Sequence, residues 1–475
     1  MSQAPIELGP INATPPAVSP PGHETHFRVG PFDEGANVSS DDTRTLHRNA
    51  EFSLPPVDSG KEAWLFLAAC FVVDALIWGY AFSFGVFQDY YSQHAPFATS
   101  GNIAVIGTTA VGVLYLASPV VLGLCRLYPH HTRFATPVGL LVTSLALALA
   151  SLASSTDALI VLQGALYAVG GAMAYCPTIL YIDEWFVARK GMAYGMVWSG
   201  EGLASAVIPL ILQRLLARFG HETTLRASGV AIFLICAPLS FFIKPRLPPS
   251  QTTAMRPWGL KFLFSSLFVP YQLGNLVQGT GHFIPGIYLP TYARTVFGAS
   301  GFLSALTVLL INVATTVGCV IMGTLTDRLP ATTCIVISSA GATIGVFIIW
   351  GLSSSLAVLY AFCVVYGLFA GSFTSTWPGI MRLLGRSRVT DDASPAAMDP
   401  AMIFGWLCAG RGVGSLISGP LSDALTKSMA WKGHASAGYG SGYGTLIAYT
   451  GITALLGCSS FVWKKLITPR SSLQQ

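Results

Sequence analysis

The sequence is poor in charge and lacks the residue patterns that mark an enzyme or a disulfide-bonded secreted domain. Charged residues make up 10% of the chain, against about 25% in an ordinary soluble domain, which excludes a water-soluble globular protein. None of the nine cysteines forms a Cys-x-x-Cys pair, so we expect buried free thiols and no metal site. A Gly-x-Ser-x-Gly elbow, a phosphate-binding loop and a His-Glu-x-x-His helix are also missing. We therefore predict that the protein is not an enzyme and needs no cofactor.

Apolar residues instead form long unbroken runs. The hydrophobic fraction is 52% and the mean hydropathy is +0.59, and about 20 apolar residues suffice to cross a bilayer as a helix. A polar linker at 244–261 separates six such runs from six more. The sequence predicts an all-α membrane protein with twelve transmembrane helices in two pseudo-symmetric six-helix bundles, at 61–243 and 262–465. The predicted spans 1 to 12 are 64–88, 103–124, 134–153, 158–182, 191–212, 225–243, 262–292, 302–325, 334–352, 356–379, 401–421 and 444–463.

The two ends of the chain are predicted to be cytoplasmic tails. Residues 1–60 hold nine prolines, 8 acidic and 3 basic side chains and no apolar signal-peptide core, so we expect a disordered tail; residues 466–475 form the second. Loops after even-numbered spans, with the C-terminal tail, hold 15 Lys and Arg, and loops after odd-numbered spans hold 6. Basic residues are retained in the cytosol. We predict a plasma-membrane protein, with a vacuolar or other endomembrane as the alternative, and no nucleic-acid partner.

Spans 5 and 11 carry the same pattern with opposite charges. Span 5 reads Gly-x4-Gly-Glu-Gly from Gly195 to Gly202, and span 11 reads Gly-x4-Gly-Arg-Gly from Gly405 to Gly412. Duplicated halves place a transporter's binding site at the repeat interface, near the middle of the bilayer. The alternative for the glycines alone is close helix packing in lipid.

Three charged side chains are predicted to lie at one depth inside the membrane. Asp74, Glu201 and Arg411 each stand 10 residues from the cytosolic end of their span, and such charges usually face a cavity or a partner. We predict that Arg411 binds an anionic substrate group and that Glu201 couples transport to protons. The alternative is an internal Glu201–Arg411 ion pair holding the bundles together. The predicted substrate site is completed by Asp74, Gln278, His282 and Asn275. The alternatives are that His282 or Gln278 only bonds helix to helix, and that Asp74 lies protonated between helices.

The loop between spans 8 and 9 contains the segment from Gly323 to Arg328, Gly-Thr-Leu-Thr-Asp-Arg. This segment resembles the loop motif of the major facilitator superfamily. The resemblance implies the major facilitator fold and a cytosolic gate in which Asp327 and Arg328 face Arg189 and Lys190. The first-half counterpart, from Gly123 to Arg126, lacks the acid, so a single latch is predicted.

Three further motifs are Asp58-Ser59-Gly60 before span 1, the Tyr181-to-Gly195 segment entering span 5, and the run from Tyr80 to Tyr91. They resemble the monocarboxylate-porter branch of this superfamily, and its fungal members in particular. Proton-coupled lactate-type members carry a basic residue late in span 1 and an acid and an arginine in span 8. The corresponding residues here are Ser83, Thr315 and Cys319, which leaves Glu201 as the titratable group.

These observations together predict a monomeric secondary transporter that moves a small, monocarboxylate-like organic acid by alternating access. Its partners would be the substrate and the lipid bilayer, and coupling to protons stays open. Export of a fungal secondary metabolite is the alternative within transport. A transport-inactive nutrient sensor is the alternative from another class.

Overall fold

The computed structural model describes residues 54–98, 102–247, 260–386, 399–428, 431–461 and 463. Within these ranges the regular structure is helical, without a β-strand. Residues 1–53 of the predicted first tail, the whole of the second tail, and 248–259 of the predicted linker lie outside the described residues. Helices are expected of such apolar runs, because in hydrocarbon every backbone N–H and C=O must be bonded within the segment.

The first six spans are interrupted at two informative places. Span 1 breaks at Ser83, whose hydroxyl donates to the carbonyl of Gly79 at 2.5 Å. The chain turns between spans 5 and 6 at Gly220, where φ is 73° and ψ is 178°, a backbone region that is essentially open to glycine alone. The helices are Lys61–Phe82 and Phe84–Gln93 (span 1), Ile103–Leu127 (span 2), Pro129–Ala150 (span 3), Thr156–Leu159, the π-helical Ile160–Leu166 and Tyr167–Trp185 (span 4), and Lys190–Leu239 (spans 5 and 6).

The last six spans include the most irregular helix of the described chain. Span 10 passes from α-helix to π-helix, breaks at Ser372 and continues through a 3₁₀ turn. Span 7 is divided at Phe283. The helices are Val269–His282 and Ile284–Phe297 (span 7), Gly301–Arg328 (span 8), Ala331–Ile344 and the π-helical Gly345–Trp350 (span 9), Leu356–Tyr366, the π-helical Gly367–Gly371, the 3₁₀ turn Phe373–Thr376 and Trp377–Arg386 (span 10), Pro400–Ser428 (span 11), and Gly444–Leu456 (span 12).

These helices amount to twelve spans. Ten stretches of described residues are long and apolar enough to cross a membrane. One of them, Lys190–Phe242, contains both span 5 and span 6. Span 7 is not among the ten, because its two helices carry polar residues along their length, among them Asn275, Gln278 and His282. The predicted twelve-helix architecture is confirmed.

Apolar side chains are exposed along spans 3, 6 and 9. Leu145 is 52% exposed, Leu234 is 64% exposed and Ile348 is 55% exposed, and other large aliphatic residues share their helix faces. In water such continuous apolar faces would favour aggregation. They fit spans that face the acyl chains of a bilayer.

The two bundles meet along spans 5 and 8 and along spans 2 and 11, at glycines. A Cβ on Gly195 would lie 2.4 Å from the carbonyl oxygen of Cys319, and a Cβ on Gly405 would lie 2.8 Å from the Cα of Pro119. Only glycine lets these backbones approach so closely. Both contacts lie toward the side of the protein that carries the loops after even-numbered spans, which we call the basic face.

Candidate functional site

A small cavity lies between the two bundles at the level of Glu201. Its volume is about 20 Å³, room for about one water molecule, so the chamber is closed around its lining side chains in this conformation. Glu201 is the one charged residue of this lining. The other lining residues are Trp78, Tyr115, Tyr175, Trp198, Thr374, Trp377, Phe404 and Cys408.

Aromatic rings from both bundles form the wall of this cavity. Trp198 of span 5 stacks on Phe404 of span 11, with ring centroids 6.0 Å apart and planes within 9°. Trp377 of span 10 stands edge-on to both rings, at 6.0 and 5.6 Å. On the first-bundle side, the Trp198 indole N–H donates to the hydroxyl of Tyr175 at 3.1 Å. The bundles therefore meet at the cavity through aromatic packing.

Glu201 and Asp74 are neighbours on spans 5 and 1. The helices touch where a Cβ on Gly200 would lie 2.8 Å from the carbonyl oxygen of Phe71. Asp74 is fully buried, neither of its carboxylate oxygens has a hydrogen-bond partner, and it lies close enough to Glu201 for the two charges to interact. The structure thus brings together two of the three predicted charges as an acidic pair on the first bundle.

Arg411 lies on the second bundle, 1% exposed. Its guanidinium donates to the side-chain oxygen of Gln278 at 2.5 Å and lies 5.6 and 5.9 Å from the ring centroids of Phe283 and Phe373. Arg411 is near enough to Glu201 to act on it electrostatically, yet no ion pair joins the two among the ion pairs of the described chain. The alternative of an internal Glu201–Arg411 salt bridge is therefore not what this conformation contains.

The remaining polar residues of span 7 bond within the second bundle. The Asn275 amide donates to the carbonyl of Leu407 at 2.7 Å, which ties span 7 to span 11. The His282 ring packs edge-on to Phe283 at 5.0 Å, and its buried Nδ1 has no partner. Of the predicted site residues on span 7, Gln278 is the one that contacts another member of the predicted site directly.

Thr315 and Cys319 of span 8 support the break in span 10. Thr315 donates to the carbonyl of Gly367 at 3.3 Å, and Cys319 lies 3.9 Å from the carbonyl of Gly371. The π-to-3₁₀ transition frees carbonyls from the regular i→i−4 ladder, and freed carbonyls in lipid need side-chain donors. Thr315 and Cys319 thus hold the broken helix that carries Thr374 and Trp377 to the cavity.

Asp327 closes the basic face between spans 8 and 5. Its carboxylate accepts hydrogen bonds from the backbone N–H groups of Gly191 and Met192 at 2.7 and 2.8 Å. These are unpaired donors in the first turn of span 5, where the helix dipole also favours a negative charge. Arg382, from span 10, donates to the same carboxylate at 3.1 Å. Asp327 thus joins the bundles by binding a helix N-terminus.

The other predicted gate residues have different partners. Lys190 pairs with Asp183 of span 4 at 2.9 Å, within the first bundle. The backbone N–H of Arg189 donates to Asp58 at 2.9 Å, and Arg328 is exposed. The structure therefore places Asp327 at the interface that the sequence predicted, but among the described residues Arg328, Arg189 and Lys190 form no ion pair or hydrogen bond with it.

A second latch, which the sequence analysis missed, joins spans 2 and 11. Arg126 donates through Nε and Nη2 to both oxygens of Asp399, at 2.7 and 2.9 Å. Asp399 also accepts from the backbone N–H of Ala401 at 3.0 Å, at the start of span 11. The prediction of a single latch was wrong, because the acid missing from the first-half loop is supplied by the opposite bundle. The sequence did contain a signal for this latch: Asp399 stands just before span 11, and Arg126 lies in the first-half loop that lacks its own acid.

No metal site is evident in the part of the chain that the structure describes. Within it, no group of three or more His, Cys, Asp or Glu side chains converges. All nine cysteines are free, eight of them buried and Cys458 partly so. The charged groups at the site are the neighbouring Glu201 and Asp74 carboxylates and the Arg411 guanidinium, beside the aromatic wall.

Comparisons with known proteins agree with this architecture. A family model described as Major Facilitator Superfamily matches residues 108–394, more than half of the chain. The MFS-type transporter pynF of Aspergillus niger is 29% identical over 389 residues, which cover 80% of this chain and 86% of pynF. Human monocarboxylate transporter 11 is 26% identical over 339 residues, which cover 69% and 71% of the two chains.

A solved structure shares the fold. The proton:xylose symporter XylE, bound to 6-bromo-6-deoxy-D-glucose, aligns with a TM-score of 0.61 over 85% of this chain and 95% of its own. The sequence identity is 13%, so the likeness concerns the arrangement of helices and not the substrate.

Proposed function

Because the chain belongs to the major facilitator superfamily, whose members are membrane transporters and not enzymes, we propose that it is a secondary active transporter of a small organic acid. The observation that supports this proposal is the placement of Glu201 and Arg411 at matching positions of the two bundles. They occupy equivalent positions of two repeated helices, one on each bundle, at the level of a cavity between the bundles. Such a midplane site at a repeat interface suits alternating access by rocking of one bundle against the other.

Arg411 is the proposed anion-binding group. It is buried among Phe283, Phe373 and the neutral side-chain oxygen of Gln278. A substrate carboxylate that replaced this amide oxygen would form a charge-assisted hydrogen bond, which is about twice as strong as one to a neutral acceptor. Substrate binding would thereby replace the hydrogen bond from Arg411 to Gln278 with a stronger one from Arg411 to the substrate.

Glu201 is the proposed proton carrier, with Asp74 as its buried neighbour. Glu201 lines the cavity, and among the hydrogen bonds of the described residues none engages its carboxylate. A carboxylate free of protein donors in a chamber that opens alternately to the two sides can take up a proton on one side and release it on the other. Coupling of this kind would link substrate movement to a pH gradient.

The basic face is proposed to be cytosolic, in a plasma-membrane protein with both termini inside the cell. The excess of Lys and Arg on the loops after even-numbered spans supports this orientation. The two latches, Asp327 with span 5 and Arg126 with Asp399, close that face. In this orientation, the conformation described here is sealed toward the cytosol, and releasing both latches opens it inward.

Export of a metabolite made by the host cell is the second candidate within transport. The aromatic wall favours it, because a small hydrophilic acid such as lactate offers little surface to Trp198, Trp377 and Phe404. Import and export share the same site and differ in the gradient that drives them.

A flux assay with the purified protein in liposomes tests the proposal. We expect accumulation of at least one organic acid from a panel that runs from lactate to aromatic acids, at a rate that follows an imposed pH gradient. Imposing the gradient in both directions separates uptake from export. If no acid moves while binding and membrane insertion are intact, the transport proposal is wrong and a sensor is favoured.

A further inference from the structure

Two aromatic side chains from opposite bundles stack on each other in the wall of the central cavity. Trp198 and Phe404 are parallel within 9° at a centroid distance of 6.0 Å, and both line the cavity. A flat ring held between two others in van der Waals contact needs about 7 Å between the outer planes. Separation of the two ring planes to this spacing as the bundles rock would turn the pair into a slot for a planar ligand.

The first-bundle side of the slot is held in place by its own contacts. The Trp198 N–H is bonded to the Tyr175 hydroxyl at 3.1 Å, and Trp78 packs on Tyr115 at 4.5 Å and edge-on to Tyr175 at 5.7 Å. Because these contacts all lie within the first bundle, they hold Trp198 in place. Rocking of the bundles would therefore move Phe404 and Trp377 relative to Trp198. The slot is thus built to open and close with the transport cycle.

Trp377 carries an unsatisfied hydrogen-bond donor at this slot. Its side chain lines the cavity and is 2% exposed, and its buried indole N–H has no acceptor. A buried donor without a partner costs free energy comparable to a lost hydrogen bond. A ligand atom that accepts a hydrogen bond from Trp377 would recover this free energy.

We infer that the substrate is a planar, conjugated molecule with a hydrogen-bond acceptor such as a ketone, bound between Trp198 and Phe404 with the acceptor on the Trp377 N–H. This inference rests on the proposed function for the location of the site, and it assigns the substrate class. Trp198, Phe404 and Trp377 are then the specificity-determining residues. Small saturated acids would be poor substrates because they neither occupy the slot between the rings nor accept a hydrogen bond from Trp377.

Equilibrium binding to the purified full-length protein tests the slot without depending on transport. Naphthalene-2-carboxylate and decahydronaphthalene-2-carboxylate have the same charge and carbon skeleton, but only the first is flat. We expect the flat acid to bind at least ten-fold more tightly by isothermal titration calorimetry. Equal affinities for the two acids would overturn the inference.

A second pair of probes tests the donor. 6-Acetylnaphthalene-2-carboxylate and 6-isopropylnaphthalene-2-carboxylate match in shape and charge and differ in the ketone. We expect the ketone to improve affinity about ten-fold, the value of one recovered hydrogen bond, and Trp377→Phe to abolish that ratio while keeping an aromatic ring.

Trp350→Phe is the matched control. Trp350 is also fully buried with an unpartnered indole N–H, but it packs on Tyr292 and Phe362 and does not line the cavity. In Trp350→Phe, the affinity of the acetyl acid relative to the isopropyl acid should be unchanged. If that preference for the ketone also survives in Trp377→Phe, the assignment of the donor is overturned. A preference for flat ligands in a protein that moves no acid would leave the inference standing and reject the proposed function.

Discussion

Arg126 and Asp399, 273 residues apart in sequence, form a two-bond ion pair that joins the bundles at the basic face. The pair is largely buried, with side-chain exposures of 20% and 4%. It has the same polarity as the other latch: in each, an acid of the second bundle, Asp399 or Asp327, accepts hydrogen bonds from donors of the first bundle. Because both latches tie one bundle to the other, they hold the same face closed.

Exchanging the two charges tests the Arg126–Asp399 latch. We expect Arg126→Asp alone to place two acids together and open the basic face, and the double variant with Asp399→Arg to recover part of the closure. Interaction free energies for contacting residues are about 0.5–3 kcal/mol. The measurement is the labelling rate of a cysteine placed at Leu122, which is buried, by a membrane-impermeant thiol reagent. Additive effects of the two changes would contradict a direct pair.

Removing the charge of Asp327 should weaken the other latch. Asp327→Asn keeps the size of the side chain but loses the charge on the span 5 N-terminus, where helix-dipole contacts contribute about 0.3–2 kcal/mol. We expect faster labelling of a cysteine placed at Met322, which is 3% exposed. Asp183→Asn is the control, because it removes an ion pair at the same face that lies within one bundle. Similar effects of the two variants would argue for general loosening.

A methyl group at Gly195 should force the bundles apart. A Cβ there would lie 2.4 Å from the Cys319 carbonyl oxygen, and overpacking of this kind costs about 1–3 kcal/mol. We expect Gly195→Ala to favour the conformation open at the basic face and to slow the full transport cycle. Gly286→Ala on span 7 serves as the control, since no atom lies within 4 Å of its added Cβ. Wild-type flux in Gly195→Ala would contradict the close approach of spans 5 and 8.

Arg411→Ala should abolish transport while the protein stays in the membrane. The change removes the proposed anion-binding group and leaves Gln278 without its donor. Arg226→Ala removes an arginine that bonds Ser151 and Glu222 at the end of span 6, and its flux should match that of the wild type. Normal flux in Arg411→Ala would remove the anion-binding role.

Glu201→Gln should separate exchange from proton coupling. The amide cannot carry a proton between the two sides, so we expect substrate exchange to persist and the dependence of net flux on the pH gradient to be lost. Exchange and gradient-driven uptake are measured in the same liposomes. An unchanged response to pH would assign coupling to another group, and Asp74→Asn is then the next variant to measure.

The spans and the repeat were predictable because hydropathy and the glycine pattern are properties of short continuous segments of the chain. Hydropathy alone gave twelve helices, and the opposite charges in matching glycine patterns selected Glu201 and Arg411. Family motifs around Asp327 gave the superfamily, which the family model confirms. The latch function assigned to the motif and the substrate roles of the central residues remain proposals.

The sequence by itself determined that this is a twelve-helix membrane protein with two related halves and with charges in its middle, since insertion into lipid depends on the composition of each segment. Only the tertiary structure decided which groups meet: Arg126 with Asp399, Lys190 with Asp183, Trp198 with Phe404. Those contacts depend on how each helix is rotated, tilted and broken, which is set by packing against its neighbours. No linear pattern contains that information, because the partners lie on different helices far apart in the chain.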